Sequence, residues 1–330
     1  NSNSTMKNEF LLTRFSDVWE YRILHAMLFL LMYLATLMGN LLIVSVTTLD
    51  MNLHTPMYFF LRNLSVLDMC YISATVPKAC ATFLTNNRTI SMAGCASQVF
   101  MVFFCGFVEV MFLTSMAHDH YVAICQPLHY PMIMTPRICV WMTLASVLSG
   151  LVFSGFHTGN TFWLHFCQSN VVNQFFCDTP SLLKLSCSNT FSNEISIFIS
   201  TFLIVGGCFA FITRSYVYIF FTVLKFPIST DRGKAFSTCV PHIIIVSIFL
   251  LSGAAVHIKP TSNSHTIQDM IISMFYSIVP PLLNPIIYSL RNKQIIEAVK
   301  KLMKRMLYSD NLILMTRVLS FSILTCLFPN

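Results

Sequence analysis

Apolar residues run along the chain in seven long blocks separated by polar breaks, near residues 23–48, 56–80, 94–121, 138–161, 194–222, 235–258 and 268–290. Each block is long enough to cross the roughly 30 Å hydrocarbon core of a bilayer as an α-helix. The pattern predicts an all-α membrane protein, a seven-transmembrane helix bundle. Its connections are short except for residues 162–193. The stretch Asn1–Glu20 is polar and carries no cleavable leader pattern, so the first membrane helix is expected to act as the targeting signal. A further apolar stretch, Leu312–Phe328, is interrupted by Arg317 and follows a basic segment.

Composition sharpens this reading. The chain is 55% hydrophobic and 10% charged, against about 25% charged residues in soluble domains. The net charge of +7 sits mostly beside predicted membrane ends, which argues against a nucleic-acid partner and for membrane lipid. With the N-terminus outside, thirteen Lys and Arg residues fall on the inner side and seven on the outer. That bias predicts an extracellular N-terminus and a cytoplasmic C-terminus. Asn3-Ser4-Thr5 and Asn87-Arg88-Thr89 fit the glycosylation pattern and lie on the predicted outer side, so Asn3 and Asn87 are candidate acceptors. Asn63-Leu64-Ser65 also fits but falls inside a membrane block.

Twelve cysteines divide in two. Eight lie in or beside apolar blocks and read as small packing residues. Cys95, Cys167, Cys177 and Cys187 lie on the outer side, where an oxidising compartment favours pairing, and spacing alone allows three pairings. A metal reading would want thiolates or imidazoles at short ligand spacing, and only His165 is close by. Two acids lie within membrane blocks, where charge is costly and usually functional. Asp68 is about 18 Å along its helix from the inner end, and Glu109 about 21 Å from the outer end. Both fall at middle depth. Two carboxylates in one apolar interior repel each other unless a cation sits between them; the alternative is that one is neutral and merely hydrogen-bonded.

The chemistry-bearing stretches also carry a resemblance. Met116-Ala117-His118-Asp119-His120-Tyr121-Val122-Ala123-Ile124-Cys125 closes the third block. His54-Thr55-Pro56-Met57-Tyr58-Phe59-Phe60-Leu61 with Asp68 opens the second, and Lys234-Ala235-Phe236-Ser237-Thr238-Cys239 opens the sixth. Pro281-Leu282-Leu283-Asn284-Pro285-Ile286-Ile287-Tyr288-Ser289-Leu290-Arg291-Asn292 closes the seventh. Gly39-Asn40 and Ser215-Tyr216 mark the first and fifth. In order and spacing these resemble the olfactory receptors, within the rhodopsin-like G-protein-coupled receptors. The third-block stretch departs at His118, where the family has Tyr, and at His120, where it has Arg. Phe249-Leu250-Leu251 replaces the family's Phe-Tyr-Gly in the sixth.

The resemblance implies a fold and a set of sites. A receptor bundle spans 23–290, after an extracellular segment 1–22. A short amphipathic helix at 291–306 follows the seventh span, its Lys300, Lys301, Lys304 and Arg305 suited to an anionic inner leaflet. An apolar tail at 307–330 has no family counterpart: a membrane-associated end, or sequence without a selected role. Cys95 would pair with Cys177 and Cys167 with Cys187. Asp68 and Glu109 would hold a sodium ion. Asp119, His120 and Tyr121, with Tyr216 and Tyr288, would serve G-protein coupling, although either of the last two could be an interfacial anchor instead. Odorant-facing positions would be Val102, Phe103, Gly106, Phe107, Ser200, Thr201, Ile204, Gly253, His257, Met274 and Ser277, a lining suited to a small, weakly polar volatile molecule.

No phosphate loop, nucleophile elbow or zinc-protease His-Glu-x-x-His occurs, so an enzyme is not expected. The expected function is an odorant receptor of the plasma membrane that activates a stimulatory G protein and raises cyclic AMP. Two alternatives stand beside it. One is a receptor fold with impaired coupling, because His120 is shorter than Arg and mostly neutral near pH 7. The other is an ion channel or carrier using Asp68 and Glu109, which the missing repeat between the two halves disfavours.

Overall fold

A computed structural model of the chain describes residues 9–13, 18–85, 87–167, 170–226, 229–257 and 267–308. Its main elements are the helices α1 (Trp19–Leu49), α2 (Pro56–Leu84), α3 (Met92–Cys125), α5 (Pro136–Phe162), α7 (Phe191–Leu224), α8 (Ser229–His257) and α9 (Ile267–Arg291), one for each apolar block. Short helices α4 (Tyr130–Ile133) and α6 (Thr179–Leu183) sit in connections, and α10 (Lys293–Tyr308) follows α9. Five helices among the described residues meet the length and apolarity needed to cross a membrane: α1, α3, α5, α7 and the Ala235–Gly253 part of α8. The helices outrun their apolar blocks by a few residues because caps lie in the polar flanks. Ser91 accepts from the Gly94 amide at 3.1 Å to start α3. Thr135 accepts from Ile138 at 3.3 Å, with Pro136 at the first helical position of α5.

α3 lies at the centre, packed against α2, α5, α7 and α8, while α1 packs on α2 and α9. Its buried positions run its full length, from Cys95 through Val108 and Met116 to Val122. By contrast α7 buries only Ile212, Ser215, Ile219 and Val223, and exposes Phe198, Phe202, Leu203 and Phe221. An exposed face of large apolar side chains is what hydrocarbon contact requires.

Two glycines set helix spacing. A Cβ at Gly39 would stand 3.0 Å from Pro285 Cγ, and one at Gly150 would stand 2.7 Å from Val108 Cγ2. Gly39 thus lets α1 meet α9 at a proline, and Gly150 lets α5 lie close on α3. Pro285 has no N–H, so the carbonyl four residues earlier, at Pro281, loses its helical donor. Asn40 Nδ2 donates to that carbonyl at 3.0 Å. The Gly39-Asn40 pair therefore supplies both room for the kink and its missing hydrogen bond.

One end of the bundle is closed by a small sheet of order β2-β1-β3. Strand β1 (Glu9–Leu12) pairs antiparallel with β2 (Thr89–Ser91), Phe10 opposite Ile90, and parallel with β3 (Val171–Val172), Leu11 opposite Val171. The polar N-terminal stretch, which the sequence pattern left without structure, is drawn in because Phe10 and Leu12 bury beside Ile90, Val172, Leu182 and Leu185. Arg22 holds the same end, donating from Nε to Phe83 O at 2.9 Å and from its terminal nitrogen to Thr85 O at 3.0 Å. These bonds serve carbonyls left open at the end of α2.

At the far end α10 buries Ile295 and Ala298 against the main core. α10 covers Lys293–Tyr308, in the region where the sequence suggests an amphipathic helix at 291–306. Its Lys301 lies 3.4 Å from Asp50 at the end of α1. The Asn52 backbone amide first, and Lys301 after it, hold the Asp50 carboxyl below its ordinary pKa. Residues 309–330, and with them the apolar tail, lie outside the described residues.

Candidate ligand site and polar networks

Three polar assemblies cross the bundle. In the middle, α2, α3 and α9 bring Asp68, Glu109 and Asn284 together, all buried. Asn284 Nδ2 donates to Asp68 Oδ2 at 2.9 Å and reaches Glu109 Oε1 at 3.5 Å. Asn284 stands between the two acids as a shared donor. One neutral amide cannot balance two carboxylates, and hard carboxylate oxygens suit a small oxygen-preferring cation. Among the described residues no group of three or more His, Cys, Asp or Glu side chains converges on a point, so such an ion would rest on this pair and amide oxygens.

At the far end His120 is buried and bound. Its Nδ1 lies 3.0 Å from Tyr216 Oη, Tyr216 Oη lies 2.7 Å from His242 Nδ1, and His242 Nε2 lies 3.0 Å from Leu113 O. The carbonyl can only accept, so His242 carries its proton on Nε2 and accepts at Nδ1. Tyr216 therefore donates to His242 and accepts from His120 Nδ1–H. The chain starts on α3, passes through α7 and α8, and returns to α3. His120 Nε2 is left buried with no hydrogen-bond partner among the described residues. Asp119 turns elsewhere and accepts from Tyr130 Oη at 2.8 Å. The carboxylate is engaged by Tyr130 and the His120 imidazole by Tyr216.

The other coupling residues divide. Tyr288 is buried in the core with Oη 3.9 Å from Met116 Sδ, so it is not an interfacial anchor. Tyr216, bonded to two imidazoles, is not one either. Tyr121 packs at the edge, its ring 6.0 Å from Tyr218.

At the disulfide end, Cys95 at the start of α3 is bonded to Cys177 in the long connection, and Cys167 to Cys187 within it, with Cα separations of 5.4 and 5.9 Å. Gln98 supports the first bridge, accepting from the Cys177 amide at 2.9 Å and donating to Ala74 O at 2.9 Å. Beneath them, the expected ligand-facing residues fall into two groups. Val102 and Met274 pack in a cluster with Phe175, Phe176 and Ile278, and Ser277 is buried beside it. Phe103, Phe107 and Ser200 gather instead around His157 of α5. Ser200 Oγ is 3.0 Å from His157 Nε2, the Phe103 ring is 5.3 Å away, and Phe107 reaches it through Phe153.

Gly106 lies on the same stretch of α3, with no atom within 4 Å of where its Cβ would stand. Thr201 and Ile204 are half-buried, and Gly253 is exposed with open space beside it. The His257 side chain and all of Asn3 lie outside the described residues. Asn87 is exposed, and its Oδ1 accepts from Thr89 Oγ1 at 2.7 Å, which brings the two ends of the sequon together. Leu250, which stands where the family has Tyr, lines a small cavity with Val110, Phe209, Val246 and Phe249.

His157 and His242 carry these networks, and neither was singled out from the sequence. A signal for His157 exists. Ser146, Gly150, Ser154, His157 and Thr161 recur at helical spacing and are all buried. In a membrane helix, a stripe of small and polar residues marks the face turned to its neighbours.

Long apolar helices, a proline kink in α9 answered by Asn40, and two disulfides over one end fit a multi-pass membrane protein of the rhodopsin-like receptor class. A sequence profile described as "Olfactory receptor" matches residues 29–306. The chain is 64% identical to Olfactory receptor 14C36 of Homo sapiens over 309 residues, 94% of this chain and 99% of that protein. It is 50% identical to Olfactory receptor 14I1 of Homo sapiens, over 91% of this chain and 96% of that one. The chain belongs to the olfactory receptor family, whose members are receptors rather than enzymes.

Proposed function

We propose that the chain is a seven-span odorant receptor of the plasma membrane, with its N-terminus outside and its C-terminus in the cytoplasm. A small, weakly polar volatile molecule binds near the disulfide end, and a stimulatory G protein of the olfactory type is engaged at the far end, raising cyclic AMP. The observation that carries this reading is the hydrogen-bonded chain from His120 through Tyr216 and His242 to Leu113. It ties three helices together where a G protein would insert, so the bundle opens only by breaking it. The excess of Lys and Arg on one side supports the orientation, and the sequon geometry at Asn87 supports an outside position for that loop.

His120 makes this receptor a weak coupler. Once freed from Tyr216, an imidazole presents at most two donors, whereas the Arg usual in the family presents five in a fixed fork. Sodium at Asp68, Glu109 and Asn284 steadies the resting state in this reading, and Asp68→Asn abolishes any dependence of ligand response on sodium. An odorant panel on cells expressing the chain tests the whole reading: cyclic AMP rises if it holds, whereas ligand-evoked current without cyclic AMP replaces it with a channel. His120→Arg, at matched surface level, raises the odorant-evoked signal; an unchanged or lower signal removes the weak-coupling part.

A further inference from the structure

We infer that His157 is the polar anchor of the ligand site and that it selects small apolar molecules carrying one hydrogen-bond donor, a hydroxyl or an N–H; this rests on the receptor reading above. His157 is 1% exposed. Its two nitrogens have unequal surroundings. Nε2 lies 3.0 Å from Ser200 Oγ, and that hydroxyl has two carbonyls of its own helix in reach, Ser196 O at 2.7 Å and Ile197 O at 3.2 Å. With its single hydrogen directed to the nearest acceptor, Ser196 O, Ser200 accepts from the ring, and we assign the imidazole proton to Nε2 on that ground. Nδ1 is then a bare acceptor. It is buried and has no hydrogen-bond partner among the described residues.

Burying an acceptor without a donor is costly, and native structures leave few such groups. The imidazole that carries this nitrogen packs among aromatic rings, with Phe103 at 5.3 Å and Phe153 at 4.4 Å between ring centres and Phe107 packed on Phe153. The open space beside Gly106 gives room on the same stretch of α3. An aromatic surround with one acceptor is matched by an apolar body with one donor. Because Ser200 fixes the tautomer, an ether, ester or ketone of the same shape brings a second acceptor to Nδ1 and is rejected. A site built to hydrogen-bond one group discriminates strongly against an analogue that lacks it.

The test uses the full chain, purified in detergent, and reads apparent Kd from the ligand-dependent rise in melting temperature. The probes are a primary alcohol, a methyl ether, a methyl ketone and an alkane of equal carbon count. The parent binds the alcohol on the order of tenfold more tightly than the ether or ketone. His157→Phe makes all four equal. Ser200→Ala frees the tautomer, so the ring can also present an N–H and the ketone approaches the alcohol.

A parent that treats alcohol and ether alike overturns the proposal, as does a His157→Phe protein that keeps the preference. If His157→Phe fails to fold, Ser200→Ala decides alone, and an unchanged ketone-to-alcohol ratio sinks the idea. Binding of all four with equal affinity removes the anchor and leaves the receptor standing. No shift with any of them removes the odorant-binding reading itself, and the anchor with it.

Discussion

The two ends of the bundle each turn on a buried histidine, and they use it differently. At the far end His120 sits in a closed chain that leaves α3 and returns to it through α7 and α8. At the disulfide end His157 sits in an open one, from α5 to a carbonyl of α7, and keeps its free nitrogen among aromatic rings. A closed chain across three helices resists their separation and suits a latch. A chain that stops at a bare acceptor leaves something to be completed and suits recognition. The surroundings differ in the same sense. The disulfide end is braced by two covalent bridges and a three-stranded sheet, and the far end by hydrogen bonds and one exposed ion pair.

The comparison breaks most severely at the brace. Losing a native disulfide typically costs about 2–5 kcal/mol, so Cys95→Ser is retained inside the cell, and surface labelling equal to the parent would show that the sheet and Gln98 suffice. The next effect lies between the ends, where α5 meets α3. Gly150→Ala forces a methyl against Val108 and destabilises by about 1–3 kcal/mol, whereas Gly106→Ala enters open space and leaves the melting temperature nearly unchanged. Equal melting of the two variants would mean that α5 slides freely on α3.

Opening the latch has a smaller energy and a clearer readout. Tyr216→Phe removes two of the three hydrogen bonds of the chain, each worth about 1 kcal/mol net, and raises basal cyclic AMP severalfold at matched surface level. Basal output at the parent value would reduce the chain to packing. The smallest effect is at α10. Lys301→Ala removes an exposed ion pair and changes stability little. Because the folded-state pKa of Asp50 is depressed, its contribution is present above the unfolded pKa and fades as pH falls through the folded one. A melting temperature that drops sharply in Lys301→Ala at neutral pH would show that α10 is held by charge rather than by Ile295 and Ala298.

Much of the architecture was legible because the solvent dictates it. A bilayer demands long apolar segments with their backbone groups paired internally, and each of the seven blocks holds a helix, extended at its ends by capping residues. The disulfide partners followed from family resemblance, since spacing alone left three pairings open. That Asp68 and Glu109 lie near one another was legible because both are acids at middle depth in membrane blocks. The N-terminal strand was not, because Glu9–Leu12 has no periodicity of its own and bends into a sheet only when Phe10 and Leu12 find the disulfide-end core.

The sequence by itself determined the class, the helices, the four outer cysteines that pair and the replacement of Arg by His120, but it read Cys70 as a packing residue, whereas Cys70 is also disulfide-bonded. What it could not determine was which side chains answer one another across helices, because a hydrogen bond depends on rotation and depth that no single helix encodes. Only the tertiary structure sets Asp119 on Tyr130 rather than beside His120, divides the expected ligand positions into two groups, and brings His242 and His157 into the two networks. Their protons are then fixed by neighbours far away in sequence: the Leu113 carbonyl for one, the committed Ser200 hydroxyl for the other.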